Sequence, residues 1–199
     1  MKKILLILLL AAVVLAGCSS SRQVTRLETD SQTDLSGRWN DTDARLVAQE
    51  MISDCLTRVW LTDFAAANGR KPVVTVGRIR NETDEHINTE TFTKDFEREL
   101  INSGQVKFVG TMAERQDVRE ERADQSEYAS AETMKQIRNE TGADFVLLGA
   151  VKTIVDEVEG QRVVFYQTDL ELINVESNEK AWIGTKKIKK AISQGRYKP

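Results

Sequence analysis

The chain has 199 residues, 40% hydrophobic and 30% charged, with 28 Lys+Arg against 31 Asp+Glu and a formal charge of −3. That size fits one core-bearing soluble domain, and the lack of a basic excess argues against a nucleic-acid partner. One His and two Cys cannot supply the paired ligands of a transition-metal site or the usual hydrolase machinery, so no catalytic, metal or cofactor site is expected.

In chain order, Lys2 and Lys3 precede an uninterrupted 13-residue apolar run from Ile4 to Ala16. The run is too short to span a bilayer comfortably and reads as the h-region of a signal peptide, residues 1–17. Leu15-Ala16-Gly17-Cys18 closes it and resembles the lipobox of bacterial lipoproteins, which implies acylation of Cys18 at the mature N-terminus. Several acyl chains, at about 0.8 kcal/mol per buried methylene, make a stable anchor where one chain is marginal. Ser19 stands where an Asp would signal inner-membrane retention, so the resemblance implies the periplasmic face of an outer membrane. Loss of Lys2 and Lys3 leaves 26 basic against 31 acidic residues, a charge of −5, so the anchor is covalent and not electrostatic. With Cys18 acylated, Cys55 has no partner for a disulfide. Its place beside Met51, Leu56 and Val59 makes it a buried small hydrophobe.

Residues 19–38 are rich in Ser, Thr, Gln and Asp without hydrophobic periodicity and read as a disordered tether, with Gly37 near its end. Twenty such residues extend to about 70 Å and average roughly 25 Å as a coil. A single globular domain, 39–199, follows. Asn40 to Asp43 offer N-cap oxygens to one long helix carrying Leu46, Val47, Met51, Ile52, Cys55, Leu56, Val59, Trp60 and Phe64, stopped at Asn68-Gly69. Pro72 opens a strand from Val73 to Ile79. The polar stretch Asn81–Asn88 leads to a helix with Phe92, Phe96, Leu100 and Ile101 inward, then a short strand, Val106–Val109.

Thr111 and Glu114 form a capping box for a charge-dense helix reaching about Glu127. Ser130 caps a further short helix through Met134 and Ile137. Ala143–Val151, apolar on both faces, is a central strand, and Arg162–Asn174 and Lys180–Ile188 complete an antiparallel meander. The order αβαβααβββ describes an α/β domain with a mixed sheet of about five strands and flanking helices.

Two constellations invite a functional reading. The first is Arg78, Arg80, Asn81, Glu82, Asp84 and His86, at the end of the first strand and in the loop after it. Acid–base or metal chemistry would require these groups to converge, and neighbouring loop residues point apart, so a surface that meets a partner is the better use. The second is the helix 114–124. At 100° per residue Arg115, Arg119 and Arg122 share a narrow stripe opposite Asp117, Glu120, Glu121 and Asp124. Like charges at i,i+3 and i,i+4 repel, so the stripe requires counter-charges. Either the domain's own acids supply them or the stripe docks on another protein. A basic cluster, Lys186, Lys187, Lys189 and Lys190, is a solvated strand end or a contact for an anionic surface.

The lipobox, together with Trp39-Asn40-Asp41-Thr42-Asp43-Ala44-Arg45, Val76-Gly77-Arg78-Ile79-Arg80-Asn81, Glu90-Thr91-Phe92 and Thr141-Gly142-Ala143-Asp144, resembles the LpoB family. These are outer-membrane lipoproteins that activate class A penicillin-binding proteins, the bifunctional peptidoglycan synthases. The Thr-Gly-Ala-Asp stretch before an apolar strand is also similar to TolB N-terminal and CsgG-like domains. The resemblance implies regulation by contact, with no chemistry of the chain's own, a class A penicillin-binding protein as partner and a monomeric domain. Some members carry a long Pro-rich tether, whereas here the only prolines are Pro72 and Pro199. The alternative function is a structural or secretion-associated envelope lipoprotein of the CsgG-like or TolB-like kind.

Overall fold

The structure is a computed structural model that describes residues 24–28, 31–136 and 139–193. It divides into a unit ending at Ser31 and a compact unit from Gln32 onward. In the first, the Ser31 N–H and Oγ both donate to the Glu28 carbonyl, at 3.1 and 2.7 Å. The second contains all the regular elements of the described chain. It begins before Trp39: residues 32–38, expected as tether, belong to it, and the reason lies in contacts that no local pattern announces. Asp34 accepts from Lys190 Nζ at 2.5 Å and from Asn40 Nδ2 at 2.6 Å. Gly37 adopts φ +69°, and a Cβ there would lie 2.4 Å from Ile192 Cδ1.

The elements run α1 (Asp41–Leu56), α2 (Val59–Asn68), β1 (Val73–Glu82), α3 (Thr89–Asn102), β2 (Lys107–Phe108), α4 (Met112–Tyr128), β3 (Phe145–Val158), β4 (Gln161–Asn174) and β5 (Lys180–Ser193). The single long first helix of the sequence reading is thus two helices. Asn40 is the N-cap, in a capping box with Asp43. At the other end Thr57 turns its hydroxyl onto the Asp54 carbonyl at 2.8 Å, and Arg58 leaves the helical region at ψ 156°. The Cys55 carbonyl accepts from the Arg58 N–H at 3.3 Å and from the Trp60 indole N–H at 2.7 Å. Hydrophobic spacing survives the bend, which hides the break from a periodicity argument. The bend also sets Trp60 and Phe64 edge-on to Phe145, with centroids 5.0 and 5.4 Å away. Gly69, in the left-handed region, ends α2 where the sequence predicts.

The sheet has five strands in the order β2-β1-β3-β4-β5. β1 is parallel to both β2 and β3, while β3, β4 and β5 form an antiparallel meander, so the sheet is mixed with β3 at its centre, as expected. β3 runs seven residues past Val151, and beyond Lys152 it pairs with β4 alone. Asp144 locks the parallel junction. Its carboxylate takes both Arg70 Nη groups at 2.7 Å and the Val73 N–H at 2.7 Å, while its own N–H donates to the Val73 carbonyl. The Arg70 guanidinium and the Val73 amide hold that carboxyl below the usual range.

One sheet face carries the core. Val74, Val76, Leu147, Val151, Leu170 and Leu172 are all at most 1% exposed, beneath Val47, Met51, Ile52 and Cys55 of α1 and Phe92, Phe96 and Leu100 of α3. Cys55 is buried, as expected, and burial pushes its thiol up to about 12. Two further expectations fail. Ile101, beside the buried Leu100, faces outward at 53% exposure. After Ser130 there is only a turn, in which the Thr133 and Met134 N–H groups both reach the Ser130 carbonyl, and no helix forms among the described residues. A lone turn buries no apolar stripe to sustain further helix, and Ile137 lies outside the described residues.

Candidate functional site

The first constellation separates into groups with different tasks. β1 bulges between Val76 and Ile79, opposite Leu148. A Cβ on Gly77 would meet Leu148 Cδ2 at 2.4 Å and Val146 Cγ2 at 2.9 Å, so a side chain at the bulge would have to displace both. Beyond it Ile79 returns to the core, while Arg78, Arg80 and Glu82 are exposed on the opposite face. Arg80 Nε lies 3.0 Å from Glu82 Oε1, and Arg78 makes no ion pair among the described residues. Asn81 instead shapes the loop. Its Oδ1 accepts from the Thr83 N–H and hydroxyl at 3.1 and 2.7 Å, and its Nδ2 donates to the Glu85 carbonyl at 2.7 Å.

Glu85, which sequence reasoning left out of the candidate set, is the anchor. Its carboxylate accepts from the Tyr166 hydroxyl at 2.7 Å and the Trp39 N–H at 3.1 Å. Trp39 in turn stacks edge-on against Phe92 and Tyr166. Burial, with the Glu85 carboxylate second, pushes the Tyr166 hydroxyl well above its ordinary value. Only a partner 81 residues away reveals this role, so no local signal could have found it. Ile87 is buried, leaving Asp84 and His86 exposed on the outer side of the loop. Among the described residues no group of three or more His, Cys, Asp or Glu could hold a metal.

The arginine stripe of α4 faces the domain. Arg115 Nη1 donates to the Gly110 carbonyl at 2.6 Å and lies 3.5 Å from Thr75 Oγ1. Arg119 grips Glu140 with Nε and Nη2 at 3.0 and 2.9 Å, and Arg122 adds a bond at 2.9 Å. This fork holds the Glu140 carboxyl below the carboxylate range, Arg119 contributing most. The counter-charge lies 18 and 21 residues further along the chain, which is why helical spacing alone left the two readings open. Asp117, Glu120, Glu121 and Asp124 on the reverse are exposed, and α4 buries none of its residues fully.

Strand alternation divides the basic cluster. Lys186 and Lys190 point to the helix side, where Lys186 pairs with Glu50. Lys190 reaches Asp43 at 2.6 Å, Asp34 at 2.5 Å and the Arg38 carbonyl at 3.1 Å. Lys187 and Lys189 are exposed on the other face, in register with Gln167 and Phe165 of β4. That face has its own polar centre, absent from the sequence reading. Asp169 accepts from Lys152 Nζ at 3.0 Å, Thr185 Oγ1 at 2.8 Å and Gln167 Nε2 at 2.8 Å. A shallow concavity beside it is lined by Arg78, Arg80, Leu148, Ala150, Lys152 and Asp169. Cys18, the expected acylation site, lies outside the described residues.

Residues 43–188 match the family model described as peptidoglycan-synthase activator LpoB, and residues 1–19 match the prokaryotic membrane lipoprotein lipid attachment site. No curated protein matches significantly. Among solved structures, the LpoB C-terminal domain from Escherichia coli is 20% identical, covering 76% of this chain and 99% of that one, with a TM-score of 0.41. The LpoB C-terminal domain from Salmonella enterica is 19% identical over 68% and 93%, with a TM-score of 0.33. Lipoprotein GNA1162 from Neisseria meningitidis is 17% identical over 60% and 83%, with a TM-score of 0.38.

Proposed function

The chain belongs to the LpoB family of peptidoglycan-synthase activators, and from that membership we propose that it is an outer-membrane lipoprotein, acylated at Cys18, that binds and activates a class A penicillin-binding protein. The observation that carries this reading is one chain holding a lipid attachment site at residues 1–19 and the activator family's pattern over residues 43–188. Ser19 in place of Asp supports the outer membrane. Activation by contact requires a surface that binds the synthase's active state better than its inactive one, and a coupling of about 1–3 kcal/mol raises the active population substantially. No group of the chain takes part in the chemistry. The domain acts as a monomer.

Of the candidate positions, Arg78, Arg80, Glu82, Asp84 and His86 are exposed and available to a partner. Asn81 serves by fixing the loop that presents them. Arg119 and Arg122 are engaged on Glu140 and Arg115 on Gly110, so in this reading the stripe holds α4 in place and offers its partner little free charge.

The test is capture by the full lipoprotein in detergent from envelope extracts, followed by glycosyltransferase and transpeptidase assays of any class A protein recovered. The expected result is binding and faster synthesis. Failure to recover any such protein under crosslinking, or binding without acceleration, would refute the proposal.

A further inference from the structure

The strand registers align the uncovered face of the sheet into rows. Arg80, Ala150, Asp169 and Thr185 form one row, and Glu82, Lys152, Gln167 and Lys187 the next. Ile154, Phe165 and Lys189 follow toward the β3–β4 hairpin, where β1 has ended. Among the described residues no helix packs over these rows. Ile154 is 67% exposed, Val158 on the same face 68%, and Ile183 at the opposite end 62%. Aliphatic side chains this open, at both ends of a polar and charged middle, mark an amphipathic face of the kind that protein partners cover.

Charge decides what kind of surface it meets. The carboxylates of the face are mostly neutralised from within: Glu82 by Arg80, Asp169 by Lys152 and Glu171 by Lys180. Asp156, near the hairpin, is the unpaired one among the described residues. Three cations, Arg78, Lys187 and Lys189, make no ion pair among the described residues. A mature chain of charge −5 thus turns a locally positive, partly apolar face outward, while the exposed reverse of α4 is acidic. An anionic lipid surface is disfavoured because Asp156, Glu157 and Glu159 crowd the hairpin that would have to insert. A hydrated glycan would leave the aliphatic side chains unmatched.

We infer that the open face of β1, β3, β4 and β5, with Lys187 and Lys189 as free cations beside Ile154 and Phe165 and Arg78 as a third near Leu148, is the docking surface for an acidic protein patch. The inference rests on the functional reading above, and names within it the face that meets the synthase. It joins the first constellation to β4 and to the Lys187 and Lys189 half of the basic cluster on β5, and it excludes the α4 reverse.

The experiment uses the full lipoprotein in detergent and the purified class A penicillin-binding protein that it captures. The triple variant Arg78→Glu/Lys187→Glu/Lys189→Glu breaks no side-chain hydrogen bond or ion pair among the described residues, so its thermal midpoint is expected to stay close to the wild-type value. Its Kd for the synthase is expected to rise about tenfold or more at physiological salt, with a slower association rate. Charge reversal on α4, Asp117→Lys/Glu121→Lys, is expected to leave that Kd unchanged. Wild-type binding with unaltered affinity in the triple variant would overturn the surface alone. A variant that loses affinity for purified sacculi but keeps it for the synthase would also overturn it, by making the occupant peptidoglycan. Absence of wild-type binding to any synthase would overturn the functional reading and this surface with it.

Discussion

Lys190→Met tests the contact that joins residues 34–38 to the domain. The Lys190 side chain is 9% exposed and that of Asp43 6%, and their charged atoms meet at 2.6 Å. Burial disfavours the ammonium, but hydrogen bonds to Asp34 and Asp43 outweigh it and raise its pKa. Burial raises the Asp43 carboxyl despite the same ammonium, whereas Asp34, near the surface, is lowered chiefly by Lys190. Methionine fills the volume without the charge, so no cavity term enters and the buried Asp43 carboxylate loses the Lys190 ammonium and keeps the Asn40 N–H. Removing one partner of a buried pair costs about 3–5 kcal/mol; with Asp34 still reachable by water, the lower end, about 3 kcal/mol, is expected.

For a domain of this size that lowers Tm by roughly 6–12 °C. The sign of the pH effect follows from Asp43. Its folded pKa is above the unfolded value and rises further without Lys190, so the variant regains stability as pH falls through that raised value. The gap to wild type is therefore expected to narrow from pH 7 to pH 4.5. Urea unfolding at both values, with Asp43→Asn and the double variant, completes a cycle whose expected coupling is about 2 kcal/mol. A loss under about 1 kcal/mol, or an equal loss in the Asp43→Asn background, would refute the argument.

Gly37→Ala forces a side chain into the left-handed region and onto Ile192, so a loss of about 1–2 kcal/mol is expected, with faster amide exchange confined to residues 34–38. Asp144→Asn is expected to cost about 1–2 kcal/mol at pH 7. Because the folded Asp144 pKa is depressed, the wild type holds that advantage above about pH 4 and loses it as pH falls through the folded value. Denaturation curves at pH 7 and pH 3 that show the same difference would contradict this. Cys55 is expected to resist aromatic disulfide reagents at pH 8 in the native protein and to react promptly in denaturant; fast native labelling would show that its burial is transient.

Much of the fold is visible in local pattern. The caps Asn40 and Thr111, the stop at Gly69, the apolar β3 and the alternation of β4 follow from side-chain periodicity and capping chemistry, because those signals act within one turn or one pleat. The break at Thr57–Arg58 escapes because the core stripe continues through it. The false helix after Ser130 arises because a capping residue and two spaced aliphatics fit a helix that has nothing to pack against. The candidate constellations fare unevenly for the same reason. Arg78 and Arg80 lie on an exposed strand end, but Asn81 serves the loop, Glu85 is the long-range anchor, and the stripe of α4 finds Glu140.

The sequence by itself determined the lipoprotein signal, the α/β class, the central strand and the family pattern, each encoded in residues near one another. Only the tertiary structure decided where charges are matched. It assigned Lys186 and Lys190 to internal acids and left Lys187 and Lys189 free, brought Asp34 and Gly37 into the domain, and assembled one open face from four strands. Register and long-range pairing set those outcomes. They depend on which residues, up to 156 positions apart, come within about 3 Å, a distance that no local window contains.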